Sequence, residues 1–259
     1  MTQNTKKTLE ECILDARRAN RVARVPYITA GFPALDDFLT ILRELDDNGA
    51  DIIEIGVPFS DPVADGPVVE SASRKALENG VSLAWIFDQL KQLDRPLKAG
   101  LVLMGYYNPF LQYGFDKLIK DAVSVGVQGF IVPDLPLEES VDLRQALRAN
   151  GLDLIALVGP NTDARRMREY AETSTGYVYV VSVMGTTGVR AEVDEEANAT
   201  LQRARDCFKI PVALGFGIQE PSQVEAMTVQ PDAAVFGSAL LRHLENGGSA
   251  TDFMKPWLK

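Results

Sequence analysis

Glu54 stands among Ile52, Ile53 and Ile55, in a run with the apolar character of a buried strand. An ionised carboxylate in such a place is costly unless it is paired or chemically used. Burial also pushes its pKa upward, which suits a group that both gives and takes a proton near neutrality. A second acid, Asp65, follows in a loop of Pro, Gly and Ser. Two carboxylates in unlike surroundings are a recurrent way to divide acid and base work. The residues also admit a plainer account. A strand-end glutamate pairs readily with a Lys or Arg of a neighbouring loop, and Ser60-Asp61-Pro62 makes an ordinary turn. The stretch by itself supports both.

The elements that must position these acids alternate regularly. Short β-branched runs at 25–29, 51–56, 97–104, 130–132, 152–158, 177–181, 211–214 and 233–236 predict strands. Between them, 35–47, 68–79, 82–92, 115–124, 138–149, 163–172, 194–207, 221–228 and 238–246 carry helical periodicity. Leu35, Phe38, Leu39, Leu42 and Leu45 form one apolar stripe, and Phe115, Leu118, Ile119 and Ala122 another. Strict strand–helix alternation implies a parallel sheet, and continuously apolar strands imply burial on both faces. With 259 residues, this predicts one α/β domain over 1–259, a (β/α)₈ TIM barrel with extra short helices. A doubly wound open sheet is the alternative, weakened because no Gly-x-Gly-x-x-Gly follows the first strand.

Composition narrows the function. A net charge of −10 without a Lys/Arg-rich run argues against nucleic-acid binding. Cys12 and Cys207 are far apart with no Cys-x-x-Cys, and His243 is the only histidine, so no zinc pattern exists and no metal site is expected. No apolar run reaches membrane-spanning length, and the N-terminus lacks a signal peptide's apolar centre, so a cytoplasmic protein is expected. Histidine-dependent nucleophilic catalysis is excluded, because no histidine stands at a strand end.

Barrel enzymes place chemistry at the C-terminal ends of their strands. Those ends here carry Glu54 and Asp65, Tyr106-Tyr107-Asn108-Pro109-Phe110, Pro133-Asp134-Leu135-Pro136, Tyr179, Gly215-Phe216-Gly217 and Gly237-Ser238. The last two motifs follow the seventh and eighth predicted strands, where barrels often hold a phosphate by backbone N–H groups and a helix start. Ser238 adds a hydroxyl donor. The same glycines also read as tight turns. A long loop at 182–193, with Gly185 and Gly188 as hinge points, reads as a lid or as a plain connection. Asp134, between two prolines, reads as a loop-orienting residue, and His243 as a helix-end residue.

Glu54-x-Gly56-x-Pro58-Phe59-Ser60-Asp61-Pro62-x-Ala64-Asp65-Gly66-Pro67 closely resembles the signature of the tryptophan synthase alpha subunits. The likeness extends over nearly the whole chain, through Pro26-Tyr27-Ile28-Thr29-Ala30-Gly31, Tyr106-Tyr107-Asn108-Pro109, Pro133-Asp134-Leu135-Pro136, Tyr177-Val178-Tyr179, Thr187-Gly188, Gly215-Phe216-Gly217 and Gly237-Ser238. It implies a lyase that cleaves indole-3-glycerol phosphate to indole and glyceraldehyde 3-phosphate. Glu54 would protonate indole C3 and shuttle the side-chain hydroxyl proton, and Asp65 would accept the indole N–H. Tyr27, Tyr179, Thr187, Gly188, Gly215, Phe216, Gly217, Gly237 and Ser238 would contact substrate, the last-named glycines and serine at its phosphate. The resemblance further implies an alpha2-beta2 assembly with a beta subunit that carries pyridoxal phosphate and receives the indole, with no cofactor in this chain. The loops with Asp65 and Asn108-Pro109 match those facing that subunit. Gly105, where many relatives have threonine, and Met184, where a small polar residue is common, depart from the pattern. A sugar-phosphate isomerase or epimerase, a standalone indole-producing lyase and a non-catalytic regulatory partner are the competing readings.

Overall fold

A computed structural model describes residues 7–181, 190–215 and 217–258, with backbone alone at 190–194. The strands are β1 (Ala23–Thr29), β2 (Ile52–Gly56), β3 (Gly100–Met104), β4 (Gly129–Ile131), β5 (Asp153–Leu154), β6 (Ala156–Val158), β7 (Val178–Val181), β8 (Val212–Gly215) and β9 (Ala233–Phe236). All neighbours pair in parallel, in the order β5-β4-β3-β2-β1-β9-β8-β7-β6. The two ends of that order are consecutive pieces of the single run 153–158, interrupted only at Ile155, whose amide still donates to the Phe130 carbonyl at 2.9 Å. The sheet thus returns on itself as the expected eight-unit barrel, and β5 and β6 together are the fifth predicted strand.

Side chains alternate across this sheet with period two. Val25 and Tyr27 of β1, Ile52 and Glu54 of β2, Val102 and Met104 of β3 and Ala233 and Val235 of β9 are buried. The apolar members of this set pack into one interior cluster. Their neighbours Ile28, Ile53, Ile55, Leu101, Leu103, Ala234 and Phe236 join a second cluster between sheet and helices. These strands are therefore greasy on both sides, one facing the barrel axis and the other the helical layer. Glu54 is the exception that its register forces inward.

The helices are α1 (Leu9–Arg18), α2 (Phe38–Asp47), α3 (Pro67–Glu78), α4 (Leu83–Leu90), α5 (Tyr107–Tyr113), α6 (Phe115–Ser124), α7 (Val141–Ala149), α8 (Ala164–Ala171), α9 (Arg190–Cys207), α10 (Pro221–Glu225), α11 (Ser238–Glu245) and α12 (Ala250–Met254). Three were not predicted. In α1, a Thr8/Glu11 capping box starts a helix whose Leu9, Cys12, Ile13 and Ala16 join the interior cluster. This helix closes the barrel's lower end. In α5, Pro109 falls in the first turn, where its missing N–H costs nothing, so the predicted Asn-Pro turn continues as helix. The third, α12, is capped by Ser249. Other boundaries also moved. β3 starts at Gly100 rather than 97, α7 at Val141 rather than 138, and α9 at Arg190 rather than 194. Gly105, one of the departures noted above, packs closely: a Cβ there would meet Phe110 Cζ at 2.8 Å and Val57 Cβ at 3.0 Å.

Buried carboxylates other than Glu54 serve the frame. Asp46 of α2 accepts from Arg95 Nη1 at 2.7 Å and from the Ala99 amide at 2.8 Å, tying α2 to the segment entering β3. Asp51 accepts two bonds from Arg21 and one from the Arg24 amide, joining the starts of β1 and β2. Removing Asp46 leaves the buried Ala99 amide without its acceptor, whereas the partly exposed Arg95 keeps Asp47. Asp46→Ala is expected to lower unfolding free energy by about 1–3 kcal/mol, measured by urea denaturation, with circular dichroism of the folded state unchanged.

Candidate active site

The interior face of β2 carries Glu54 to the barrel axis with no exposed surface. Across the barrel, the Tyr177 hydroxyl donates to Glu54 Oε1 at 3.0 Å. Glu54 Oε2 is equally buried and has no hydrogen-bond partner among the described residues. Burial pushes the carboxyl up to about 8, against the smaller downward pull of the Tyr177 bond. Near neutrality Glu54 is therefore largely a carboxylic acid, with an O–H to give on the oxygen that Tyr177 does not occupy.

Asp65 lies in the loop after β2, just before Gly66 and the Pro67 start of α3. It is half-buried, and desolvation raises its carboxyl to about 6, with the Tyr106 hydroxyl pulling it down and Glu70 pushing it up. The Tyr106 hydroxyl also accepts from the Ala64 amide at 2.9 Å, and its ring packs on Phe59 at 5.1 Å between centroids. One tyrosine from the loop after β3 thus secures the acidic loop. Asp134 orients the neighbouring turn by accepting from the Tyr107 amide at 2.9 Å, as its setting between prolines suggested. His243 is a helix-end residue, with Nε2 at 3.0 Å from the Ser249 carbonyl oxygen.

Glu54 and Asp65 line one cleft with Tyr27, Met104, Tyr179, Gly66, Val69 and Val235. Gly217, Ile218, Gln219, Gly237, Ser238 and Arg242 line it as well. Gly217 has a φ of +87°, a conformation natural to glycine, and Gly237 is the N-cap of α11, whose first residue is Ser238. The cleft is therefore acidic and aromatic on one side and a helix N-terminus on the other. That is the polarity wanted for an aromatic ring joined to an anionic group.

Two glycines of the site have a different reason to be there. A Cβ on Gly215 would lie 2.0 Å from the Tyr179 hydroxyl, and one on Gly56 would lie 2.0 Å from that of Tyr27. Gly215 does not border the cleft. It makes room for the Tyr179 ring, which does. Thr187, Gly188 and Phe216, with the predicted lid, Gly185 and Met184, lie outside the described residues. Sequence reasoning quoted Tyr106 and Tyr177 within motifs without giving either a role, and overlooked Arg242. Tyr177 shares a strand face with Tyr179, and that two-residue spacing was the available signal. Arg242 follows Ser238 by one helical turn.

The sequence model of the tryptophan synthase alpha chain family matches residues 13–255. The chain belongs to the tryptophan synthase alpha chain family. A tryptophan synthase alpha chain of Nitratidesulfovibrio vulgaris strain DP4 is 61% identical over 249 residues, spanning 96% of this chain and 97% of that protein. The crystal structure of tryptophan synthase subunit alpha from Legionella pneumophila superposes with a TM-score of 0.83 at 30% identity, covering 95% of this chain and 93% of that one. A chain of the tryptophan synthase complex from Pyrococcus furiosus gives 0.80 at 34% identity, over 90% of this chain and 94% of that one. The protein is accordingly a carbon–carbon lyase of tryptophan biosynthesis that cleaves indole-3-glycerol phosphate.

Because Tyr177 lowers the Glu54 pKa, Tyr177→Phe is expected to raise it and move the alkaline limb of the kcat/KM–pH profile upward. An unchanged limb would remove Tyr177 from the control of Glu54.

Proposed function

We propose that Glu54 and Asp65 carry the acid–base chemistry of the cleavage. The observation behind this is the wholly buried Glu54 carboxyl with one unpartnered oxygen, lining the same cleft as a half-buried second acid. Protonated Glu54 gives its proton to C3 of the indole ring, leaving positive charge shared with the ring nitrogen. The Asp65 carboxylate accepts the ring N–H and stabilises that charge. The Glu54 carboxylate so formed takes the proton from the hydroxyl next to the scissile bond. The carbon–carbon bond breaks, its electron pair returns to the ring, and indole and glyceraldehyde 3-phosphate leave with Glu54 protonated again. Tyr27 and Tyr179 wall the ring. Gly217, Gly237 and Ser238 face the phosphate, and the family resemblance implies that Gly188 joins them, that Thr187 closes against Asp65 and that Phe216 contacts substrate.

The partner in this reading is a beta subunit in an alpha2-beta2 assembly. Indole passes to it, and the pyridoxal phosphate needed to turn indole into tryptophan belongs to it. Support comes from the Pyrococcus furiosus relative, a chain of a tryptophan synthase complex. On the loops after β2 and β3, the exposed apolar side chains of Val63 and Leu111 flank the acidic loop and α5, a surface suited to a protein partner. The setting is the cytoplasm. Among the described residues no helix is long and apolar enough to cross a membrane.

Indole release from indole-3-glycerol phosphate tests the assignment, with and without a beta subunit. Glu54→Gln and Asp65→Asn are each expected to lower kcat by about 10²-fold or more. Added beta subunit should raise the wild-type rate. Loss of activity in neither variant would reduce the carboxylates to structural groups. Binding to a beta subunit without indole formation would favour a regulatory partner instead.

The pH profile supplies an independent check. The reaction needs Asp65 ionised and Glu54 protonated, so kcat/KM should rise through about 6 and fall through about 8. The substrate's own phosphate also ionises near ~6, so the alkaline limb is the diagnostic one. A profile flat from pH 7 to 9 would contradict a protonated Glu54.

A further inference from the structure

Arg242 is the one cationic side chain among the described residues that line the cleft. It stands four positions after Ser238 on α11, so both project from the same face of the helix. Helical side chains lean toward the N-terminus, so a long side chain at this position covers the preceding turn. That turn begins with Ser238 and the backbone N–H groups that no earlier carbonyl satisfies. The guanidinium is not committed elsewhere. Glu245, the nearest acid along its helix, is held by Lys75 of α3, and Arg242 forms no ion pair among the described residues. Its setting also creates a need for it. The cleft contains the Asp65 carboxylate, and the whole chain carries a charge of −10, so an incoming phosphate meets an unfavourable field unless a local cation offsets it.

Resting on the lyase reading above, we infer that Arg242 is the phosphate-positioning residue of this cleft, a cation that supplements the backbone cradle of Gly217, Gly237 and Ser238. It binds the phosphate ester by a charge-assisted contact from the helix flank. It touches no reacting atom. Its contribution is made equally to bound substrate and transition state, so it acts on KM more than on kcat. Because Arg242 is exposed, salt screens this contribution.

The test uses the complete chain assembled with a beta subunit and compares wild type with Arg242→Gln and Arg242→Lys. The readouts are KM and kcat for indole-3-glycerol phosphate, competitive inhibition by inorganic phosphate, and binding of uncharged indole, at low and high salt. Arg242→Gln is expected to raise KM and the phosphate inhibition constant each about tenfold at low salt. The fall in kcat should stay under about twofold, and indole binding should not change. Arg242→Lys should recover most of the loss, and the salt dependence of KM should flatten in Arg242→Gln. A merely structural arginine would lower thermal stability and disturb indole binding as well, which overturns the proposal. Equal phosphate inhibition of wild type and Arg242→Gln overturns it too, leaving the cradle intact. If phosphate fails to inhibit even the wild type, the cradle itself is wrong, and Arg242 falls with it.

Discussion

A carboxyl group with no exposed surface, held by a single tyrosine hydroxyl inside a closed ring of strands, is the constraint around which this cleft is organised. Desolvation is the largest influence on Glu54, and it works in one direction, toward the neutral acid. Everything around the group maintains that dry setting. The interior cluster of Val102, Met104, Ile131 and Val235 excludes water laterally, and α1 closes the barrel from below with Leu9 and Ile13. The cleft lies at the C-terminal ends of the strands, with the second acid and the glycine loops. The unpartnered oxygen of Glu54 is a stability cost that a purely structural protein would be expected to relieve.

The two acids differ because their mountings differ. Glu54 is fixed by strand pairing on both sides, to Tyr27 on β1 and Val102 on β3. Its position follows from backbone hydrogen bonds and tolerates little adjustment. Asp65 lies on a loop secured by Tyr106 through the Ala64 amide and by the Phe59 ring packed on it at a tilt. Such a mounting leaves its segment open to influence from a partner on the same face. A strand-borne acid and a loop-borne acid thus differ in how far each can adjust.

The glycines show how two demands can fall on neighbouring positions. Gly56 and Gly215 clear space for the Tyr27 and Tyr179 rings, which wall the cleft, whereas Gly217 and Gly237 border the open space itself. A motif such as Gly215-Phe216-Gly217 therefore combines an aromatic seat with a candidate anion contact. The spacing of its residues does not separate the two.

Much of this was legible in the chain. Strand–helix alternation and strands apolar on both faces specify a parallel, doubly covered sheet, because only burial on both sides repays such a composition. A lone acid among isoleucines marks a candidate functional place, because the cost of burying it is local and visible in sequence. The family resemblance read from the motifs agrees with the family match over residues 13–255. Tertiary structure alone decided the rest. Tyr177 meets Glu54 from 123 positions away, and α1 seals the barrel although nothing in its own periodicity names what it packs against. Arg242 joins the cleft only because closure brings α11 beside β1 and α3. Local patterns report which face of an element is apolar. Which elements meet across the barrel is fixed by ring closure, a property of all the strands together that no single stretch of sequence records.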